Sequence, residues 1–219
     1  MITMSKSRID ALSDGVFAIL LTILILEFQP ETIKPGSLQT VVFHQLPLFL
    51  MYLLSYFYVG TSWLFHHDYF QYVKRTNRTV NILNLFLLFT VTLVNYAMVL
   101  LIEALSDGNT GDIRLAFIVY DLVALLISFS FLVLYRYLEH HPELQTVERS
   151  GITSHYERIR LDPARSVIIY LLSMIATSFS NLVAGILLIA GVVFHFIAYL
   201  RFSKVAHIAA KQKTENLTK

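Results

Sequence analysis

Apolar residues in this chain come in long blocks, with polar residues gathered in the gaps between them. The first block runs from Val16 to Leu26 and is preceded by Arg8, Asp10, Ser13 and Asp14. At about 1.5 Å of rise per residue, a helix over 8–28 covers roughly the thickness of a bilayer core. Blocks of the same kind recur, and spans are expected at about 9–28, 40–66, 82–105, 113–138, 166–182 and 183–203. The last two are separated only by Ser178, Ser180 and Asn181. One unbroken helix there would be about 55 Å long, too long for a bilayer, so a tight helical hairpin is expected.

The gaps complete the plan. Residues 30–38 hold two prolines and a glycine and read as a short loop. The stretches 66–80 and 106–112 read as connections, and 139–163, the longest polar segment, as a surface linker with room for a short interfacial helix. In the second span Tyr52, Tyr56, Tyr58 and Trp63 are expected toward the two interfaces. The expected fold is an all-α membrane protein with six transmembrane helices in one domain, 1–205, followed by a cytoplasmic polar tail, 206–219.

Composition agrees with a membrane class. Charged residues make up 15% of the chain and hydrophobic ones 56%, with a mean hydropathy of +0.62, against a usual charged share of about 25%. Lys6 and Arg8 precede an apolar run as in a signal peptide, but the run closes as LEFQPE without small residues, so a retained helix is expected. The absence of cysteine excludes disulfides, thiolate metal sites and cysteine catalysis. A net charge of +2 gives no footprint for nucleic acid. Its distribution says more. With six spans, all of the 17 Lys and Arg residues except Lys34 and Arg114 fall on the side of the two termini. That bias places both termini in the cytoplasm.

Chemistry of the enzymatic kind finds little support. His66, His67 and Asp68 are consecutive, and neighbours on a helix point about 100° apart, so they do not converge on one metal. His140 and His141 have the same geometry. No HExxH, GxSxG, phosphate loop or EF-hand pattern occurs. No enzyme activity and no cofactor are therefore expected. A TVGYG-like filter and a repeating arginine series are also absent. Glu103 and Asp121 are expected near span ends, solvated at the interface, and His195 is expected to be a hydrogen-bonded packing residue.

The first helix has two faces. At about 100° per residue, Leu12, Gly15, Ile19, Thr22, Ile23 and Leu26 form one stripe, and Asp14 falls roughly opposite. Trp63 and His67, at i and i+4, share a face of the second span at a depth similar to Asp14. Asp14, His67, the Trp63 indole and Arg8 are expected to satisfy one another as a latch between the two helices.

Arg8, Ser13 and Asp14, ahead of an apolar helix with Thr22 and Leu26, resemble the RxxxFSD signature of the transmembrane protein 175 family. These are endolysosomal potassium channels and their smaller bacterial and archaeal relatives. Trp63 with His67 resembles a second-helix feature of the same family, while Leu12 stands where the family usually has Phe. The resemblance implies a homotetramer in the lipid bilayer with a central pore lined by four copies of the first helix. Ile19 would then be the main hydrophobic constriction, with Ile23 and Leu26 as further rings and Thr22 as a pore hydroxyl. Arg8, Ser13, Asp14, Trp63 and His67 would set the angle of that helix. The implied function is a potassium-permeable cation channel of the prokaryotic plasma membrane, passing K+ and other monovalent cations with no resident metal. The residues alone leave two other readings open: a proton-coupled secondary transporter using Asp14 and His67, which would normally show repeats and broken helices, and a non-conducting scaffold or enzyme.

Overall fold

The computed structural model describes residues 5–27, 34–146 and 162–217, with side chains for 165–201 in the last segment. Six α-helices dominate these residues. Helix α1 (Lys6–Ile23) tightens into a 3-10 turn at Leu24–Glu27; α2 covers Leu38–Phe70, α3 Arg78–Asp107 and α4 Thr110–Glu139. A short 3-10 turn at Pro142–Leu144 follows, then α5 (Asp162–Ala176) and α6 (Asn181–Leu217). The proposed interfacial helix of the 139–163 linker, residues 30–33 of the loop at 30–38 and Phe28 lie outside the described residues.

Local chemistry fixes the element ends. The segment SDGNTGD joins α3 to α4 because Gly108 closes α3 in the left-handed region, at φ 71°, where a side chain would be strained. Asn109 then caps α4, its side chain accepting from Gly111 N at 2.8 Å and Asp112 N at 3.2 Å. Asn77 caps α3 by accepting from Val80 N at 2.9 Å, and its Nδ2 donates to Tyr137 Oη at 2.9 Å, tying the start of α3 to the end of α4. The loop between α2 and α3 is pinned to the chain beyond α4 by Lys74 N to Leu144 O, 2.8 Å, and Thr146 N to Tyr72 O, 2.9 Å.

The helices pack in a connected order. α3 lies against α4, α4 against α5, α5 against α6, and α6 returns to α2, which also touches α3. α1 sits at the edge, against α2 and α3. Leu87, Val91, Val94, Met98 and Leu101 of α3, with Ala124, Ile127 and Leu134 of α4, are fully buried and form the middle of the core. Small residues allow the closest approaches. A Cβ at Gly191 of α6 would stand 2.6 Å from the Tyr170 ring of α5, and one at Gly185 would stand 3.2 Å from Phe117 of α4.

Several expectations change in detail. Among the described residues, five helices are long and apolar enough to cross a membrane, and the stretch Arg165–Ala176 is apolar but short. The 15 residues of α5 rise only about 22 Å, less than a bilayer core of ~30 Å. The hairpin break falls at 177–180, so α5 ends at Ala176 where the expected span runs on to 182. α6 continues helical into the polar segment set apart as a tail. α2 also outlasts its expected end, because nothing in 66–70 breaks a helix and His66, Tyr69 and Phe70 are buried there. Tyr58 does not reach an interface: it is buried, and its hydroxyl donates to Ala124 O at 3.1 Å.

Candidate functional site

The two faces of α1 separate cleanly in the fold. Ile9, Ser13, Phe17, Leu20 and Leu24 are buried, at intervals of four, four, three and four that trace one side of a helix. Phe17 has no exposed surface, whereas Ile19 is 62% and Leu26 64% exposed. Leu12, Gly15 and Thr22 are open on the same side as Ile19. Ile23 departs from the stripe: it is half-buried and packs against the core. The 3-10 turn advances about 120° per residue and keeps Leu26 on the open side. Thr22 turns its hydroxyl hydrogen inward, toward Ile19 O at 2.8 Å and Ala18 O at 3.1 Å. Its oxygen lone pairs are left for whatever lies outside the helix.

Three polar tethers hold this helix to its neighbours. Trp63 Nε1 donates to Asp14 Oδ1 at 2.9 Å, joining α2 to α1. The Trp63 and His67 rings lie 5.4 Å apart and tilted by 36°, so His67 braces the indole that makes the bond. Among the described residues no hydrogen bond joins Asp14 to His67, and the two carboxylate–imidazole partners of a carrier meet only through Trp63. Arg8 stays outside the group: its side chain is exposed, while Asp10 takes the ammonium of Lys6 at 2.6 Å.

The second tether is fully buried. His66 Nε2 meets Asn84 Oδ1 at 2.7 Å, Asn84 Nδ2 donates to Ser13 Oγ at 3.0 Å, and Ser13 Oγ donates to Ile9 O at 2.9 Å. An amide oxygen can only accept, so His66 carries its proton on Nε2 and the chain runs one way from α2 through α3 into α1. Phe70 stacks on the imidazole at 4.2 Å and Phe17 closes its other side at 5.8 Å. The third tether is Asn95 Nδ2 of α3 to Glu27 Oε1, 3.1 Å, at the far end. Between the tethers, Val16, Phe17, Leu20, Leu21, Ile23 and Leu24 pack the helix against the core through apolar contacts.

Sequence reasoning missed His66 and Asn84. His66 looked like part of a polar loop, but extending the α2 period one turn beyond Ser62 places it on the buried face of Ser55, Tyr58, Val59 and Ser62. Asp121 also differs from its expected place at a solvated interface. It is buried with no exposed surface, and its Oδ2 lies 2.7 Å from Ser173 Oγ on α5. His195 is buried and packed, as expected, but its Nε2 has no hydrogen-bond partner. Among the described residues no three His, Asp or Glu side chains converge as a metal site requires.

Comparison with known proteins agrees on one relationship. The family model described as endosomal/lysosomal potassium channel TMEM175 matches residues 8–94, which hold α1, α2 and the first half of α3. A protein of Streptomyces collinus named as a potassium channel is 36% identical over 156 residues, covering 71% of this chain and 75% of that protein. One of Chamaesiphon minutus, also named as a potassium channel, is 30% identical over 174 residues, covering 77% of this chain and 84% of its own length. The human endosomal/lysosomal proton channel TMEM175 is 38% identical over 90 residues, 37% of this chain and 18% of that longer protein. Among solved structures, the crystal structure of a lysosomal potassium-selective channel TMEM175 homolog from Chamaesiphon minutus superposes with a TM-score of 0.72 at 26% identity, over 89% of this chain and 97% of that one.

Proposed function

Because this chain belongs to the TMEM175 family, we propose that it is a potassium-permeable cation channel whose pore is lined by α1 of four identical subunits. The membrane is the prokaryotic plasma membrane, with both termini cytoplasmic by the charge bias of the loops. The observation that carries the reading is the division of α1: one side is fully committed to its own subunit, while the side bearing Ile19 and Leu26 is left open along the helix. Around a fourfold axis that open side supplies two apolar rings with a threonine hydroxyl between them.

Such a ring passes ions when it widens and wets, and blocks by dewetting when it narrows. Ile19 forms the main constriction and Leu26 a second ring. Ile23 contributes a partly retracted edge between them, because it is partly buried against the core. The Thr22 oxygen, its hydrogen occupied by the backbone, offers lone pairs to a partly dehydrated cation. Ser13 and Asp14 hold the helix at the angle that sets the pore width, through Asn84 and Trp63. A carrier mechanism has less support, since Asp14 and His67 share no hydrogen bond.

The test is reconstitution in planar bilayers. Ile19→Asn puts a wettable group at the constriction and is expected to raise conductance and reduce discrimination between K+ and Na+, measured as reversal potentials in opposed gradients. Conductance and selectivity equal to those of the unaltered protein would remove Ile19 from the pore. A stable monomer in detergent would leave no axis for α1 to line.

A further inference from the structure

Away from α1, the helices α4, α5 and α6 meet at one buried carboxyl. Asp121 lies about three turns into α4 and has no exposed surface. Its Oδ2 is 2.7 Å from Ser173 Oγ of α5, and that hydroxyl is in turn 3.0 Å from the Ala184 carbonyl near the start of α6. We propose that Asp121 is a proton-binding site: it is a neutral carboxylic acid in the folded protein, and its proton is the first link of a chain, from Asp121 to Ser173 to Ala184 O, that fastens the α5–α6 hairpin to α4.

Hydrogen counting supplies the first argument. A serine hydroxyl has one hydrogen to give, and a backbone carbonyl can only accept. A buried serine in a helix ordinarily returns that hydrogen to a carbonyl of its own preceding turn, as Ser13 does to Ile9 O and Ser62 to Tyr58 O. Ser173 sends it to another helix instead, at Ala184 O. The 2.7 Å contact with Asp121, at the usual length of an O–H···O bond, is then a hydrogen bond only if the carboxyl supplies the hydrogen. The neutral acid satisfies both contacts of Ser173 at once; a carboxylate satisfies one of them at the expense of the other.

The surroundings supply the second. A buried carboxylate needs a cation or several donors to offset its lost hydration. Asp121 has neither: among the described residues Ser173 is its one hydrogen-bond partner, no cation pairs with it, and its Oδ1 has no partner. The titratable groups that face it are phenols, Tyr58 from α2, Tyr120 from α4 itself and Tyr170 from α5. Tyr58 gives its hydrogen to Ala124 O and Tyr120 pairs with Ser55, so neither bonds the carboxyl. On α6 the buried titratable side chain is His195, whose ring lies against Tyr58 and Phe65. The buried face of α3 carries no charged residue. Protonation therefore removes a charge that nothing nearby compensates. The chain reaches α6 beside Gly185, where a Cβ would stand 3.2 Å from Phe117, one turn before Asp121, so the proton and the closest apolar approach join α4 to α6 at the same level.

Infrared spectroscopy of the full chain reads the protonation state directly. With aspartate carboxyls labelled with a heavy carbon isotope, the protein at neutral pH is expected to show the band of a protonated carboxyl, shifted by the label. A spectrum in which every aspartate is a carboxylate overturns the proposal, and this measurement needs no variant. Asp121→Asn keeps the shape, is neutral at every pH and can donate from Nδ2 to Ser173, so it is expected to fold and to lack the band; a band that persists in it also overturns the proposal. Thermal unfolding against pH is a separate check. A carboxyl that is neutral when folded and ionised when unfolded takes up a proton on folding, so above the ordinary aspartate value of about 4 the folded state loses ground as pH rises, by up to about tenfold in the folding equilibrium per pH unit. Between about pH 5 and pH 7 the midpoint of the unaltered protein is expected to fall relative to that of Asp121→Asn by a few degrees per unit. Two profiles that run parallel over this range mean an ionised Asp121 and overturn the proposal.

Discussion

Two side chains that hold α1, Asp14 and Ser13, are adjacent in sequence but live in different dielectric surroundings. Asp14 is exposed and takes one indole N–H, a bond in reach of competing water. Its loss is worth about 1 kcal/mol or less. Ser13 belongs to a buried chain in which Asn84 satisfies two neighbours at once. Removing one member of such a chain leaves the others desolvated and unpaired, at about 1–3 kcal/mol. Trp63→Phe, which deletes the donor together with the five-membered half of the indole, is therefore expected to lower the melting midpoint only slightly while altering channel current. Asn84→Ala is expected to lower the midpoint by several degrees. Melting curves and bilayer recordings on the same two preparations check both, and a large thermal loss in Trp63→Phe would mean that the bond is structural first.

At the level of helices, the apolar blocks and their polar gaps made α1, α3 and α4 legible, because Gly108, Asn109 and Asn77 punctuate them with residues that can do little else at those positions. The end of α2 was not legible, since a polar composition at 66–70 hides three side chains that turn inward. Nor was the place of Asp121: hydropathy gives depth along a helix but not which neighbour covers it. The packing of α6 on α5 was equally silent, as Gly191 carries no pattern of its own. It matters because the Tyr170 ring occupies the place where a methyl group would go. Tyr170 is fully buried and cannot swing away. Gly191→Ala is expected to separate the two helices and cost about 1–3 kcal/mol, as overpacking of a tight core does. A thermal shift assay reads this directly, and an alanine tolerated without loss would show that the α5–α6 hairpin can adjust as a unit.

For the whole molecule, the question is what meets the open side of α1, and nothing within one chain answers it. Periodicity separated the stripe of Ile19 and Leu26 from Asp14, and the fold adds that Ile23 is partly withdrawn, which the helical wheel could not show. An apolar stripe facing lipid and one facing a pore have the same sequence; only the assembly distinguishes them. The absence of cysteine makes that distinction measurable. Ile19→Cys introduces a single thiol per subunit. If four α1 helices surround an axis, these thiols approach one another across it, and mild oxidation in membranes yields covalent dimers at high efficiency. The same substitution at Ile186, 57% exposed on α6, places the thiol on a helix away from the proposed axis, and little crosslinking is expected there. Equal dimer yields at the two positions would mean random collision between subunits and no axis at α1. Abundant dimers at residue 19 with almost none at 186 would place the constriction face at the centre of the assembly, whatever ion it conducts.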